Sequence, residues 1–414
     1  MNYDKTLFST YREILDDYLK QGIIEKVSDG NVPIGKPVFY LPHQPVFRET
    51  SASTKTRRVF DGSSHEFGQL SLNDCLWTGT NLNPDMFHLL INFPLNKVAI
   101  SADVEKAFLQ IALAEKDQDA VRFLFVENTQ LNDLKLATYR FKRVNFGIKS
   151  SPFLLAATIK EHIRKYRDEQ PHVFEILNSC VYVDDFITGQ DSIDEALSLS
   201  RKAKQIMSAA NMNLRKWVSN DPELMRKWKK EEFEIHPHKI NDSNETLKIL
   251  GISWDTNEDS LSIDTDSLME FLKNKRNTKR FILKTAGKIF DPFGLITPFS
   301  VRLKFLLQEL WVRKLTWDDE LPTDICQEWA KWCCECHHLS KIAVPRFILK
   351  PEADSIEIHC FSDASQRAYG TVVYVKLRKQ EEISVSFRSH QNVVVAPVKK
   401  ITLRYLVLNY LVHY

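Results

Sequence analysis

Apolar residues recur at helical spacing at the start of the chain. Phe8, Tyr11, Ile14, Leu15, Tyr18 and Leu19 make residues 7–29 read as an amphipathic helix, with its stop near Gly22. Four prolines (33, 37, 42 and 45) then favour extended segments and turns over 30–62. The run KVAISA (97–102) is apolar and ends at Asp103, after which VEKAFLQIAL begins a helical or turn segment. AVRFLFVE and ATYRFKRVNF alternate in the manner of paired strands. SPFLLAATIKEHIRKY (151–166) predicts a helix, with Pro152 at an allowed first-turn position. In VYVDDFITG, apolar residues flank Asp184 and Asp185 on both sides, which predicts a β-hairpin with the acids at its tip and Gly189 helping to close its second strand. A helix over 191–213 and the strand-like TLKILGISWD follow. Beyond about 260 the pattern is basic and helical, with a sharp turn at Asp291–Gly294 and a strong helix in FSVRLKFLLQELWVRKL. EIHCFSDASQRAYGTVVYVKL (357–377) reads as strand, turn, strand. The pattern predicts a large α/β body, a helical middle and a small C-terminal α/β piece, without repeats.

A length of 414 residues predicts two or three domains. No apolar run is long enough for a bilayer, and MNYDKTLFSTYRE is not a signal peptide. Seven scattered cysteines then read as reduced thiols of an intracellular protein, in a cytoplasmic particle or the nucleus and not secreted. A net charge of +2 excludes a whole-chain basic field, so nucleic acid must be met by local patches. The candidates are STKTRRVFDGS (53–63) and the run Lys273, Lys275, Arg276, Lys279, Arg280, Lys284, Lys288, for which a solvated helix face is the alternative.

The aspartate pair changes the picture most. Adjacent carboxylates near a core raise each other's cost of ionising, and alone they read as a solvated turn. Asp103 is not alone either: it ends another short apolar run, a common place for a site residue. If the two elements are neighbours, three carboxylates converge. Mg²⁺ is held by a few carboxylates plus substrate phosphates, and two such ions are the standard device for nucleotidyl transfer.

ISADVEKAFLQIAL, VNFGIKSSPFLLAAT and VYVDDFITG stand in the order and approximate spacing of three core motifs of reverse transcriptases, which they resemble. YLPHQPVFRETSASTKTRRVFDGSS, LSLNDCLWTGTNLNPDMF, LRKWVSN, LGISWD, IFDPFGLITPFSVRLKFLLQELW and FSDASQRAYGTVVYV extend the resemblance to the pol polyprotein of BEL/Pao-type LTR retrotransposons over nearly the full length.

The resemblance implies an α+β fingers–palm polymerase fold with a ferredoxin-like antiparallel palm sheet, a helical connection region and a partial ribonuclease H-like unit. It implies fingers, palm and the start of a thumb over 1–256, thumb and connection over 257–352 and an incomplete ribonuclease H-like domain over 353–414. Asp103 and Asp184 would hold two Mg²⁺ ions (Mn²⁺ being possible), with the Val104 carbonyl, and Asp185 would complete the cluster. Phe108, five residues after Asp103, falls at the steric-gate position that favours deoxynucleotides. Phe146 and Gly147 would pack against the incoming nucleotide and template base. Lys55, Arg57 and Arg58 would contact the triphosphate, Arg57 matching best. Lys216 would protonate the leaving pyrophosphate, and Leu250–Gly251 would form the primer-grip hairpin. The implied partners are an RNA and DNA template-primer, deoxynucleoside triphosphates and other gag and pol segments, with no membrane.

Asp363 would be the first ribonuclease H ligand. The only later acids are Glu381 and Glu382, in a stretch that reads as a hairpin turn, and the Pro-Arg-Leu-Glu-Leu segment of the family is replaced by ITLRYLVLNYLVHY. A truncated or frame-shifted copy without ribonuclease H activity is the expectation. The aspartic protease signature is absent, and WCCECHH (332–338) bunches its ligands on one helix, so it reads as thiols and not as zinc. The leading expectation is therefore an RNA-directed DNA polymerase. The rivals are an inactive remnant that binds nucleic acid, and an RNA-templated RNA polymerase, against which Phe108 counts.

Overall fold

The computed structural model describes residues 5–28, 35, 37–47, 56–126, 135–237, 247–349 and 353–395. The first expected helix is shorter than its pattern. α1 (Lys5–Lys20) ends before Gly22, whose φ of 65° terminates it, and Ile24–Val27 is a strand, β1. A four-residue strand cannot show a period of its own; β1 exists because it pairs with a distant partner. β2 (His43–Phe47) and β3 (Thr56–Phe60) form a hairpin ladder. The short helices α2 (Leu72–Cys75) and α3 (Met86–Asn92) follow, then β4 (Val98–Val104). β5 (Arg122–Val126) and β6 (Leu136–Phe141) pair as expected, and β6 also takes β1 as its neighbour. Tyr11, Leu15, Phe60, Phe123 and Phe141 fill the core of this layer, the segment expected to be the fingers.

The segment expected to be the palm comes next. Helices α4 (Ser151–Arg164) and α5 (Pro171–Cys180) lead into β7 (Val181–Tyr182) and β8 (Asp185–Gln190). α6 (Ile193–Ser208) starts on a Ser192 cap and runs to β9 (Leu214–Val218) and α7 (Pro222–Lys230). The sheet order is β7-β8-β4-β9, antiparallel throughout. Residues alternate between its faces. Ile100, Ala102 and Phe186 pack against α4, α5 and α6. Ala99 and Ile187 face the other way, into a second core with Ile249, Trp254 and Leu261.

That second core lies under a four-stranded sheet of β10 (Leu247–Ile249), β11 (Ile252–Asp255), β12 (Ser260–Ser262) and β13 (Ala343–Pro345), all antiparallel. The β10–β11 turn is Leu250–Gly251, both at positive φ (46° and 90°), the geometry of a tight two-residue hairpin. The expected boundary at 256/257 falls in the turn between β11 and β12, so one sheet spans both segments. Between β12 and β13, helices α8 (Asp266–Leu272), α9 (Lys279–Ala286), α10 (Thr297–Val312) and α11 (Thr323–Glu335) enclose Ile282, Leu303, Trp329 and Trp332. The chain ends, among the described residues, in a meander of β14 (Ser355–Ala364), β15 (Ala368–Lys379) and β16 (Glu382–Val395). Arg367 in its first turn lies over the Phe305 ring of α10, at 4.5 Å.

Parts of the basic run serve the helical core. Lys279 is buried, donates to the Leu315 carbonyl at 3.0 Å and lies 3.3 Å from the Trp311 ring centre. Arg280 is paired with Asp318 at 2.8 Å. Neither belongs to an open phosphate-tracking stripe. WCCECHH lies on α11 and the turn at 336–341, where burial pushes the thiols of Cys333 and Cys336 up to about 12. No described helix is long and apolar enough to cross a membrane.

Candidate active site

The register of the palm sheet brings the three acids together. Asp103 and Asp185 are direct cross-strand partners on β4 and β8, and so share a face. Tyr182 pairs with Asp185 across β7 and β8, which leaves Val183 and Asp184 as the hairpin turn. The Asp184 carbonyl accepts from Val104 N at 2.7 Å, which ties the turn to β4. Val183 has φ 56°, a strained value for a β-branched residue. The parity of Asp103 and Asp185 is that of Ala99 and Ile187, so they occupy the face away from the helices.

Charge is concentrated here. Burial, then Asp184, then Asp103 push the Asp185 carboxyl up to about 7. Lys216 Nζ donates to Asp103 Oδ2 at 3.0 Å. Arg215 Nε lies 3.4 Å from Asp103 Oδ1, an ion pair without hydrogen-bond alignment, and both atoms are buried without a hydrogen-bond partner. The sequence pointed to Lys216 but missed Arg215. The donor set suits a divalent cation: Oδ1 is a buried oxygen that accepts no hydrogen bond, and the Asp185 carboxyl is crowded by Asp184 and Asp103 more than it is relieved by Lys216. No described group of three His, Cys, Asp or Glu side chains forms a ready cage.

Asp185 yields a prediction about pH. Its pKa is raised on folding, so its contribution is fully present below about 4 and is lost as pH rises through about 7. In metal-free protein at pH 8, Asp185→Asn is expected to raise stability by about 1–2 kcal/mol, discounted for partial exposure, with no gain at pH 4. Thermal melts of both proteins at the two pH values check this. An equal effect at both would show that Asp185 does not titrate as described.

Phe108 and Phe146 meet edge to face, with ring centres 4.4 Å apart. Phe108 is 4% exposed on the turn after β4, whereas Phe146 is 52% exposed. Gly147 has φ 89°, and a Cβ there would stand 2.0 Å from the Phe60 carbonyl oxygen, so only glycine fits. Asn73, which the sequence did not single out, holds this loop. Its Nδ2 donates to the Gly147 carbonyl at 3.0 Å, and its Oδ1 accepts from Lys149 N at 2.9 Å.

The triphosphate contacts divide. Lys55 and the side chain of Arg57 lie outside the described residues, though the Arg57 backbone is part of β3. Arg58 has a structural role that the expectation did not include. Its guanidinium lies 3.9 Å from the Tyr18 ring centre and its Nη2 donates to the Ile14 carbonyl at 3.4 Å. It packs β3 against α1 through these contacts. Asp363 is exposed on β14, across from Gly370.

Residues 64–254 match the family "Reverse transcriptase (RNA-dependent DNA polymerase)". Residues 278–409 match "Pao retrotransposon-like RNaseH-like domain". No curated protein matches. The fold is similar to the foamy viral protease-reverse transcriptase solved in complex with RNA/DNA hybrid, with TM-score 0.57 and 14% identity, over 100% of this chain and 47% of that one. It is also similar to the same viral enzyme solved in complex with dsDNA, with TM-score 0.58 and 15% identity, over 100% of this chain and 72% of that one. The chain thus spans about half the length of the first. At these identities the likeness establishes the fold. The fold and the two matches give the chain a reverse transcriptase domain at 64–254, followed by a ribonuclease H-like segment at 278–409. The second match narrows the kind: the two matches together are consistent with a BEL/Pao-type retrotransposon pol region.

Proposed function

We propose that the chain is an RNA-directed DNA polymerase, extending a primer 3′-hydroxyl with deoxynucleotides on an RNA and DNA template-primer. The observation that carries this reading is the pairing of Asp103 with Asp185, with Asp184 in the adjoining turn. Asp103, Asp184, Asp185 and the Val104 carbonyl would hold two Mg²⁺ ions, Mn²⁺ being a possible substitute. A divalent ion supplies Lewis acidity to the attacking hydroxyl and charge neutralisation to the leaving pyrophosphate. The exposed Phe146 ring offers a platform for the base pair, and Gly147 lets the backbone come close. Phe108, supporting Phe146 from below, is the proposed barrier to a 2′-hydroxyl. Lys216 is the proposed proton donor to pyrophosphate. Lys55 and Arg57 stay proposed triphosphate contacts. The proposed units are fingers and palm within 1–256, thumb and connection to 352 and a ribonuclease H-like unit beyond, with the β10–β13 sheet shared across the first division.

Primer extension on an RNA template tests this. Deoxynucleotides should be incorporated in preference to ribonucleotides, and Phe108→Val should raise ribonucleotide use roughly tenfold. Hybrid binding without incorporation would select the inactive reading, and equal use of both sugars the RNA polymerase reading.

This chain is expected not to cleave RNA in a hybrid. Glu382 pairs with Lys379 at the end of the meander where Ser355 pairs with Arg378. Eight strand residues separate Ser355 from Asp363, about 26 Å at the usual rise, far outside a shared metal shell. Metal-dependent cleavage that is lost with Asp363→Asn would overturn this.

A further inference from the structure

Successive residues of a strand point to opposite faces, yet Arg215 and Lys216 both reach Asp103. The cause is a bulge. Between the pairs Ser101–Val218 and Asp103–Arg215, β4 advances two residues and β9 three. Lys216 has φ 51°, a left-handed conformation that costs about 1 kcal/mol or more in a lysine. Trp217, next along, returns to the core and is fully buried. A regular strand would have sent Lys216 to the opposite face from Arg215. The strain therefore has a result: two cations on one carboxylate. The grips differ. Lys216 makes a hydrogen bond to Oδ2 through a flexible stem. Arg215 has a second anchor, Nη1 lying 3.5 Å from Glu105 Oε1, and meets Oδ1 without a hydrogen bond.

We propose that Arg215 and Lys216 form a built-in cationic clamp that takes the place of a divalent ion on Asp103, and that ion loading must loosen it. Arg215 is a positioning residue, fixing the carboxylate through Oδ1, and Lys216 is the member that lets go. The proposal rests on Asp103 being a metal ligand, as read above. The clamp keeps the acidic pocket from being uncompensated before nucleotide arrives, and it weakens binding of a bare ion. Ions then load best together with a triphosphate, whose negative charge gives Lys216 another partner.

The test measures Mn²⁺ binding to the full chain without nucleotide, by the loss of the free-ion paramagnetic resonance signal. Lys216→Met should tighten the dissociation constant about three- to tenfold, as expected from removing one unit charge near a divalent ion. Arg215→Gln should tighten it likewise. Arg215→Lys, which keeps the charge, should stay within about twofold of the parent and guards against misfolding as the cause. Asp103→Asn should weaken binding at least tenfold. If Asp103→Asn changes nothing, the metal-site reading itself fails. If Asp103→Asn weakens binding but neither Lys216→Met nor Arg215→Gln tightens it, the clamp is overturned and the site reading survives.

Discussion

Asp184→Asn is expected to lower RNA-templated incorporation by about 10³-fold or more, with the fold intact. The substitution keeps shape and removes one negative charge from the turn between β7 and β8. The turn is held by its backbone, since Asp184 O accepts from Val104 N and Tyr182 pairs with Asp185. Neither bond needs the carboxylate. Loss of charge therefore acts chiefly on chemistry, and its effect on stability is relief of the repulsion with Asp185. Single-turnover primer extension should show the loss in the rate of the chemical step, while hybrid binding stays within about threefold, because phosphate contacts dominate that affinity. Incorporation within tenfold of the parent would remove Asp184 from the site. A large fall in melting temperature would mean that the side chain is structural.

The acidic pocket was legible because it uses a period-two rule twice. KVAISAD and VYVDDF each place acids at the end of an apolar run, and the register joins the two ends. The paired strands around 122–141 and the helix at 151–164 were legible from alternation and from Pro152. Other features follow from non-local geometry. IEKV continues the helical pattern of α1, and only β6 makes it a strand. Arg58 and Lys279 look like surface cations, but their charged heads lie over the rings of Tyr18 and Trp311. Arg215 was invisible because strand alternation assigns it and Lys216 to opposite faces. A bulge at a lysine with positive φ carries no residue signature, unlike one at glycine. Asn73 likewise holds its loop across 74 residues, a contact that composition cannot announce.

The largest stability loss is expected at Arg346, which no motif marked. It is fully buried and all five of its N–H donors are engaged. Nε and Nη2 grip Asp259 at 2.6 and 2.8 Å, and the remaining donors reach the carbonyls of Phe93, Asn96 and Lys97 at 2.8–2.9 Å. Asp259 also accepts from Trp254 Nε1 and Asn220 Nδ2. One guanidinium thus joins the end of β13, the turn before β12 and the loop that enters β4. Arg346→Met fills similar volume but takes this donor from the Phe93 and Asn96 carbonyls, leaves the Lys97 carbonyl with Asn220 Nδ2 alone and strips Asp259 of its counter-charge. The cost is expected to be about 3–5 kcal/mol, the range for breaking a buried ion pair. Arg346→Lys should recover only a minor part, because an ammonium has three donors and no fork. Denaturant unfolding of the two variants measures this. Coupling to Asp259 should appear as strong non-additivity in an Arg346→Met, Asp259→Leu cycle, where the second change removes the stranded charge. Because Asn96 and Lys97 lead directly into β4, whose other end carries Asp103, the same variant should also lose polymerase rate at temperatures where it remains folded. A loss of stability below 1 kcal/mol, or simple additivity with Asp259→Leu, would show that the network does not bind palm to sheet.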